Sequence, residues 1–166
     1  MHDKALYYIK KLQLKKHLEG GYFREIYRAG DLVLIDAPSK RLKRNFSTSI
    51  YFLLAGKQIS AFHKLNADEI WHFYDGGPVK IYIIDPDGKF AEVVLGKKTE
   101  KGEVFQTTIK KNHWFAAEVL SKRSFVLVGC TVSPGFDFSD FELGRRDEMI
   151  KIFPQHQLLI EKFTLK

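Results

Sequence analysis

The chain has 166 residues, 45% of them hydrophobic, which is the size of one domain able to bury its own core. Its formal net charge is +7, but the basic residues are scattered apart from Lys40, Arg41, Lys43 and Arg44, and no nucleic-acid recognition motif accompanies them. The single cysteine excludes an intrachain disulfide and a thiolate metal cage, and no apolar run approaches the ~20 residues of a membrane span; a cytoplasmic protein that binds neither nucleic acid nor membrane is expected.

In chain order, residues 2–12 read as a short amphipathic helix, with Leu6, Ile9 and Leu12 near the helical period. From Tyr22 to about Ser133 the pattern shifts to short runs rich in aromatic and β-branched residues. Strands are predicted at 22–28, 31–35, 47–54, 58–65, 69–74, 79–85, 90–95, 103–109, 113–118 and 124–133. Glycine, proline and Asn/Asp punctuate them, and Asp87-Gly88 marks a hairpin between two of the runs. Many short strands with no helices between them specify an all-β antiparallel sandwich or barrel. The segment 36–46, with Pro38 and four basic residues, reads as a loop suited to a lid or to touching an anion. Beyond Gly135, Leu143 to Ile152 can form a helix stopped by Pro154, and Gln157 to Phe163 a second. One domain over 1–166 results, with a barrel core at about 20–135 and a helical extension at about 139–163.

The stretch from His63 to Gly76 carries the chemistry. If its two runs pair as a hairpin, His63 and Glu69 project from one face, joined by Trp71 and Phe73, while His72 points the other way. An imidazole facing a carboxylate among aromatics can hold a metal, take a proton or orient a polar ligand. In Tyr22-Phe23-Arg24-Glu25 alternation turns one charge inward, and Arg24 is the better binder of phosphate or carboxylate. Gln106 offers an amide to the same cavity. Cys130, within an apolar run, reads as a buried inert thiol, and Phe136 to Glu142 as a structural latch whose aromatics pack while its acids stay wet.

Gly56, His63, Glu69 and Gly76 are spaced as in the first motif of the cupin superfamily, and Lys110 to Phe115 stands where the second should be. Asn112 occupies that motif's glycine position, where it tolerates positive φ. The segments 19–25, 47–54, 68–74, 114–117 and 129–138 resemble, in order, the cupin_5 group, also called DUF985. The resemblance implies a double-stranded β-helix, the cupin jelly-roll barrel, with short N-terminal and C-terminal helices, commonly a homodimer, with a ligand pocket in the barrel mouth. Members are labelled predicted sugar epimerases after the dTDP-sugar epimerase cupins.

Metal cupins hold their ion with three histidines and a glutamate. His63 and Glu69 match two of those positions, but Leu65 and Phe115 replace the others. No cofactor is therefore expected beyond a weakly held divalent metal at His63 and Glu69. The resemblance instead implies a metal-independent epimerase or isomerase of a small, anionic or nucleotide-linked sugar. His63 would be the base, Glu69 its orienter or a ligand contact, and one of Tyr22, Tyr51 or Tyr74 the acid. Arg24, Trp71, Phe73, Gln106, Tyr22 and Tyr51 would bind the ligand. The alternatives are a binding module without catalysis and a metal-dependent enzyme using His63 and Glu69.

Overall fold

The computed structural model describes residues 2–37 and 40–165. In chain order these form α1 (Asp3–Lys11), β1 (Lys15–Lys16), β2 (Tyr22–Arg28), β3 (Leu32–Ala37), β4 (Lys40–Asn45), β5 (Thr48–Ala55) and β6 (Ile59–Leu65). There follow β7 (Asp68–Gly76), β8 (Val79–Ile84), β9 (Phe90–Leu95), β10 (Gln106–Ile109), β11 (Trp114–Val119) and β12 (Phe125–Ser133). The chain ends with β13 (Phe141–Leu143), α2 (Arg146–Ile152) and α3 (Gln157–Phe163).

One sheet has the order β1-β2-β5-β12-β7-β10, the other β13-β6-β11-β8-β9, and β3 pairs with β4 alone. These strands pair antiparallel, mostly between strands that are not consecutive in the chain. Between the sheets lie Phe52, Leu54, Trp71, Ile81, Phe115 and Val126, each essentially inaccessible. Burying a side chain of this size stabilises the fold by roughly 1.5–3 kcal/mol. The outer face of the five-stranded sheet is also covered, because Phe62, Ile84, Trp114 and Ala116 pack against Met149, Phe153, Ile160 and Phe163 of the C-terminal helices. Cover on both faces explains why β11 reads as an almost unbroken apolar run.

At the other end α1 begins with Nδ1 of His2 accepting the Lys4 N–H, and it carries Asp3 in its first turn and Lys10 and Lys11 in its last, complementing the helix dipole. Its Ala5 packs with Leu14, Leu53 and Phe125, and the Tyr8 hydroxyl donates to Asp75 at 2.8 Å.

Most expected strands fall where alternation places them, and the Asp87-Gly88 hairpin forms, with Gly88 at φ +83°. Asn112 has φ +64°, as its place in the second motif implies. The reading of 36–46 as a loop is corrected, since Lys40–Asn45 is a strand paired with Leu32–Ala37; Pro38 and Ser39 lie outside the described residues. Arg44 does not reach for an anion: its guanidinium meets Asp140 through Nε and Nη2 and donates to the Ser139 hydroxyl at 2.8 Å. Asp140 is accordingly not a wet acid. Leu143 belongs to β13, so the first C-terminal helix starts later, at Arg146.

Candidate functional site

A cavity opens between the sheets at the end of the barrel where β2, β6, β7 and the 136–141 segment converge. His63, Leu65, Glu69, Trp71, Cys130 and Val132 line its depth, with Phe23, Ile50 and Phe52 along one wall. Glu25, Arg28, Phe136, Phe138 and Phe141 stand around it as well, and His17 and Glu19 complete it from the turn between β1 and β2. Alternation along β6 and β7 turns His63, Glu69 and Trp71 inward, as the sequence indicates. His72 lies on the opposite face, 3.4 Å from the Thr131 hydroxyl.

Glu19 is the carboxylate that meets His63. His63 Nε2 lies 3.2 Å from Glu19 Oε2, His17 Nδ1 lies 3.3 Å from the same oxygen, and the Ser60 hydroxyl donates to Oε1 at 2.6 Å. The backbone fixes this hub, for the Glu19 carbonyl accepts the Ala61 N–H at 2.8 Å. Gly20, at φ +113°, lets the chain pass so close to β6 that a Cβ there would collide with the Ile59 carbonyl oxygen. The expected role of Glu69 as the orienter of His63 is thus filled by another residue. Glu19 lies within one of the segments that resemble cupin_5, but nothing in its spacing points to His63.

The protonation of this pair follows from its neighbours. His63 Nδ1 lies 2.8 Å from the Ala61 carbonyl, which can only accept, so Nδ1 carries a proton. The contact at Nε2 then requires a second proton, held on the ring or on Glu19, and the two groups titrate as a unit. Burial pushes the His63 imidazolium below its ordinary pKa, against the pull of Glu19 and the Ala61 carbonyl. Burial also opposes charge on Glu19, but His63 and the bonds from His17 and Ser60 outweigh it and lower its pKa.

Glu69 is different. Burial, and then the nearby Glu19 carboxylate, push its pKa up to about 8. The Trp71 indole and the Cys130 thiol face it, yet neither reaches hydrogen-bonding geometry, which leaves Glu69 Oε2 and Trp71 Nε1 buried and unpartnered within the protein. Cys130 is itself buried, and burial drives its thiol well above its ordinary pKa, so it is no thiolate.

The remaining expected ligand contacts fall outside the cavity. Arg24 points away and donates to the Leu12 carbonyl at 3.2 Å. Tyr22 and Tyr51 pack with the cluster under α1, and Tyr74 lies edge-on to Tyr51. Phe73 belongs to the core cluster, and Gln106 is exposed opposite His72 on an edge strand. In their place stand Glu25 and Arg28. A bulge between Glu25 and Tyr27 shifts the phase of β2, so Arg28 rather than Tyr27 returns to the cavity side. The latch also does more than pack. Phe141 stacks on His63 at 5.4 Å between ring centroids, and Phe136 and Phe138 line the cavity.

A cupin metal does not fit this donor set. Phe115 packs its ring 4.0 Å from that of His63, Leu65 supplies a hydrocarbon wall, and both His63 nitrogens are engaged. Among the described residues no three His, Cys, Asp or Glu side chains are grouped to hold a metal ion.

The fold and the cavity are those of a cupin, and residues 6–144 match Cupin_5, described as cupin superfamily (DUF985). The chain belongs to that family. It is 32% identical over 154 residues to the uncharacterized protein YML079W of Saccharomyces cerevisiae, covering 86% of this chain and 76% of that one. A Shewanella oneidensis crystal structure is 38% identical with a TM-score of 0.85, covering 96% of each chain. A hypothetical protein from Leishmania major is 32% identical with a TM-score of 0.90, covering 98% of this chain and 99% of that one. More distantly, a dTDP sugar isomerase from Desulfovibrio desulfuricans shares the fold at 15% identity and a TM-score of 0.54, covering 81% of this chain and 86% of the isomerase. Oxalate decarboxylase from Bacillus subtilis shares it at 13% identity and a TM-score of 0.55, covering 89% of this chain and 36% of the decarboxylase. No helix among the described residues is long and apolar enough to cross a membrane.

Proposed function

We propose that this cupin binds a small molecule in the barrel cavity and exchanges a proton with it without a metal. The observation that carries the reading is a buried carboxyl, Glu69, unpartnered at Oε2, in the same cavity as the buried His63–Glu19 pair. A group titrating near neutrality suits general acid–base work, and Glu69 is raised into that range. His63 keeps Nε2 turned to Glu19. It serves as the direct base of an epimerisation only if Nε2 leaves that carboxylate. The dTDP sugar isomerase that shares this fold makes sugar isomerisation the first reaction to test.

The test is deuterium exchange from solvent into the carbon-bound hydrogens of small hydroxy and keto compounds. Exchange lost in both Glu69→Gln and His63→Asn supports the proposal. Saturable binding with no exchange assigns a binding module instead. We also propose a homodimer, because β2 and the β3–β4 hairpin expose Ile26, Tyr27, Leu32 and Leu34 side by side in sequence. A molar mass of one chain by light scattering at micromolar concentration would overturn it.

A further inference from the structure

The lining charges narrow the ligand further, given the proposal that the cavity is a ligand site. Among the described residues lining the cavity Arg28 is the one Lys or Arg, and it is already engaged. Its Nε and Nη2 bond the Glu25 carboxylate at 2.9 and 2.7 Å, and Nη1 donates to Asn45 Oδ1 at 2.8 Å and to the Phe136 carbonyl at 3.1 Å. His63 and His17 face Glu19. Among the described residues a phosphate or carboxylate entering here would meet no unpaired Lys or Arg; the Trp71 N–H is a free donor, but the carboxyls of Glu25 and Glu69 stand with it. Desolvating an anion without a counter-charge is costly. A cation is also unmatched: Glu19 faces two imidazoles, Glu25 is held by Arg28, and burial favours the protonated form of Glu69.

What lacks a partner is neutral and paired in kind. Trp71 Nε1 can only donate, and Glu69 Oε2 can accept. A single ligand hydroxyl, accepting from the indole and donating to the carboxyl, satisfies both. The rest of the wall is Phe23, Ile50, Phe52, Phe136, Phe138 and Phe141, which suits a flat hydrocarbon body. The cavity gives water-sized groups about 80 Å³ to move in, where one water needs roughly 10–15 Å³ on the same measure. That depth takes a compact group, and the charges around it argue against a diphosphate.

We infer that the ligand of this cavity is a compact, uncharged hydroxyl or carbonyl compound with a flat apolar body, and not a phosphorylated or nucleotide-linked sugar. The test is calorimetric titration of the wild-type chain with benzyl alcohol, benzylamine and benzoate, which share one ring and differ in charge, together with inorganic phosphate and a dTDP-sugar. Benzyl alcohol is expected to bind at least ten-fold more tightly than the two charged analogues, with phosphate and the dTDP-sugar silent. Tighter binding of benzoate, phosphate or the dTDP-sugar would overturn the inference while leaving the cavity as the site. Silence across the whole series would overturn the ligand-site reading itself. Glu25→Gln supplies a second arm, since Glu25 and Arg28 are both 39% exposed and the variant frees the guanidinium from its carboxylate while keeping the side chain's shape. The ratio of benzoate to benzyl alcohol affinity should rise about ten-fold; an unchanged ratio would count against the Glu25–Arg28 pairing as the reason anions are refused.

Discussion

Glu19 and His63 are 44 residues apart in sequence and 3.2 Å apart in space, and their contact joins the edge of one sheet to a strand of the other. It is the polar centre of an apolar cavity. Glu19→Gln keeps the shape but cannot be anionic toward His63 and His17, and removing one partner of a buried pair costs about 3 kcal/mol. Urea denaturation should show that loss, and a variant within 0.5 kcal/mol of wild type would refute a buried ion pair.

Gly20→Ala should act at the same place through the backbone. At φ +113° an alanine is strained, at roughly 1–3 kcal/mol, and its methyl group must displace the Ile59 carbonyl. The expected signature is a lowered melting temperature together with a shifted His63 ring resonance in NMR spectra. A melting change without the imidazole shift would show that the turn does not position Glu19.

Glu69 predicts a pH dependence of stability with a definite sign. Its pKa is about 8 in the folded chain against an ordinary 4.5. Below pH 4.5 both states hold the proton, and the group contributes nothing. Between the two values the unfolded chain has released its proton and the native chain has not, so stability falls as pH rises. The fall levels off above the folded pKa and totals roughly 5 kcal/mol, from ~1.4 kcal/mol per unit. Denaturation of wild type and Glu69→Gln at pH 5 and pH 9 checks this, because the variant should lose the slope.

Asp75 carries the opposite sign. Burial alone would raise its pKa, but bonds from Lys4, Tyr8 and the Gly76 N–H more than offset that and hold it below the usual carboxylate range. Its contribution is therefore present above the ordinary value and lost as pH falls through the folded one. Lys4 is largely exposed, so the pair is screened, and Asp75→Asn should cost only about 1 kcal/mol. The sharper readout is α1, whose tether this is; limited proteolysis should cut the N-terminus faster in the variant.

Arg44 and Asp140 are 9% and 12% exposed, and Asp140→Asn leaves the guanidinium without its carboxylate. A loss of about 2–3 kcal/mol is expected. Because Asp140 anchors the segment bearing Phe136, Phe138 and Phe141, ligand affinity should fall with stability. Unchanged affinity would mean that the aromatic edge holds its place without this pair.

Much of this was legible in the chain because strands alternate. Period two put His63, Glu69 and Trp71 inside and His72 outside, and the turn signals fixed most strand ends. What alternation cannot carry was missed. Alternation leaves open which of Arg24 and Glu25 faces inward, and the fold turns in Glu25; the bulge after it then brings Arg28 to the same side. Glu19 sits in an irregular Gly-Gly turn, where no period links it to a strand far along the chain. The phenylalanines of 136–141 lie in a segment with little regular structure, and only the folded chain shows them lining the cavity. Lys40–Asn45 looked like a loop because its basic residues mask the pattern of a hairpin strand.

The hub at Glu19 has one more consequence. The residue whose carboxylate faces His63 also fastens two sheets together, its carboxylate through Ser60 and two imidazoles and its backbone carbonyl through the Ala61 amide. Chemistry and assembly thus draw on one residue, and selection cannot tune the first without risking the second. In a mutational survey, inactive variants at this position would be indistinguishable from unfolded ones unless folding is read separately. The freer ground for a change of specificity lies at the rim, in Glu25, Arg28 and Phe138, where a substitution can alter what enters without loosening the barrel.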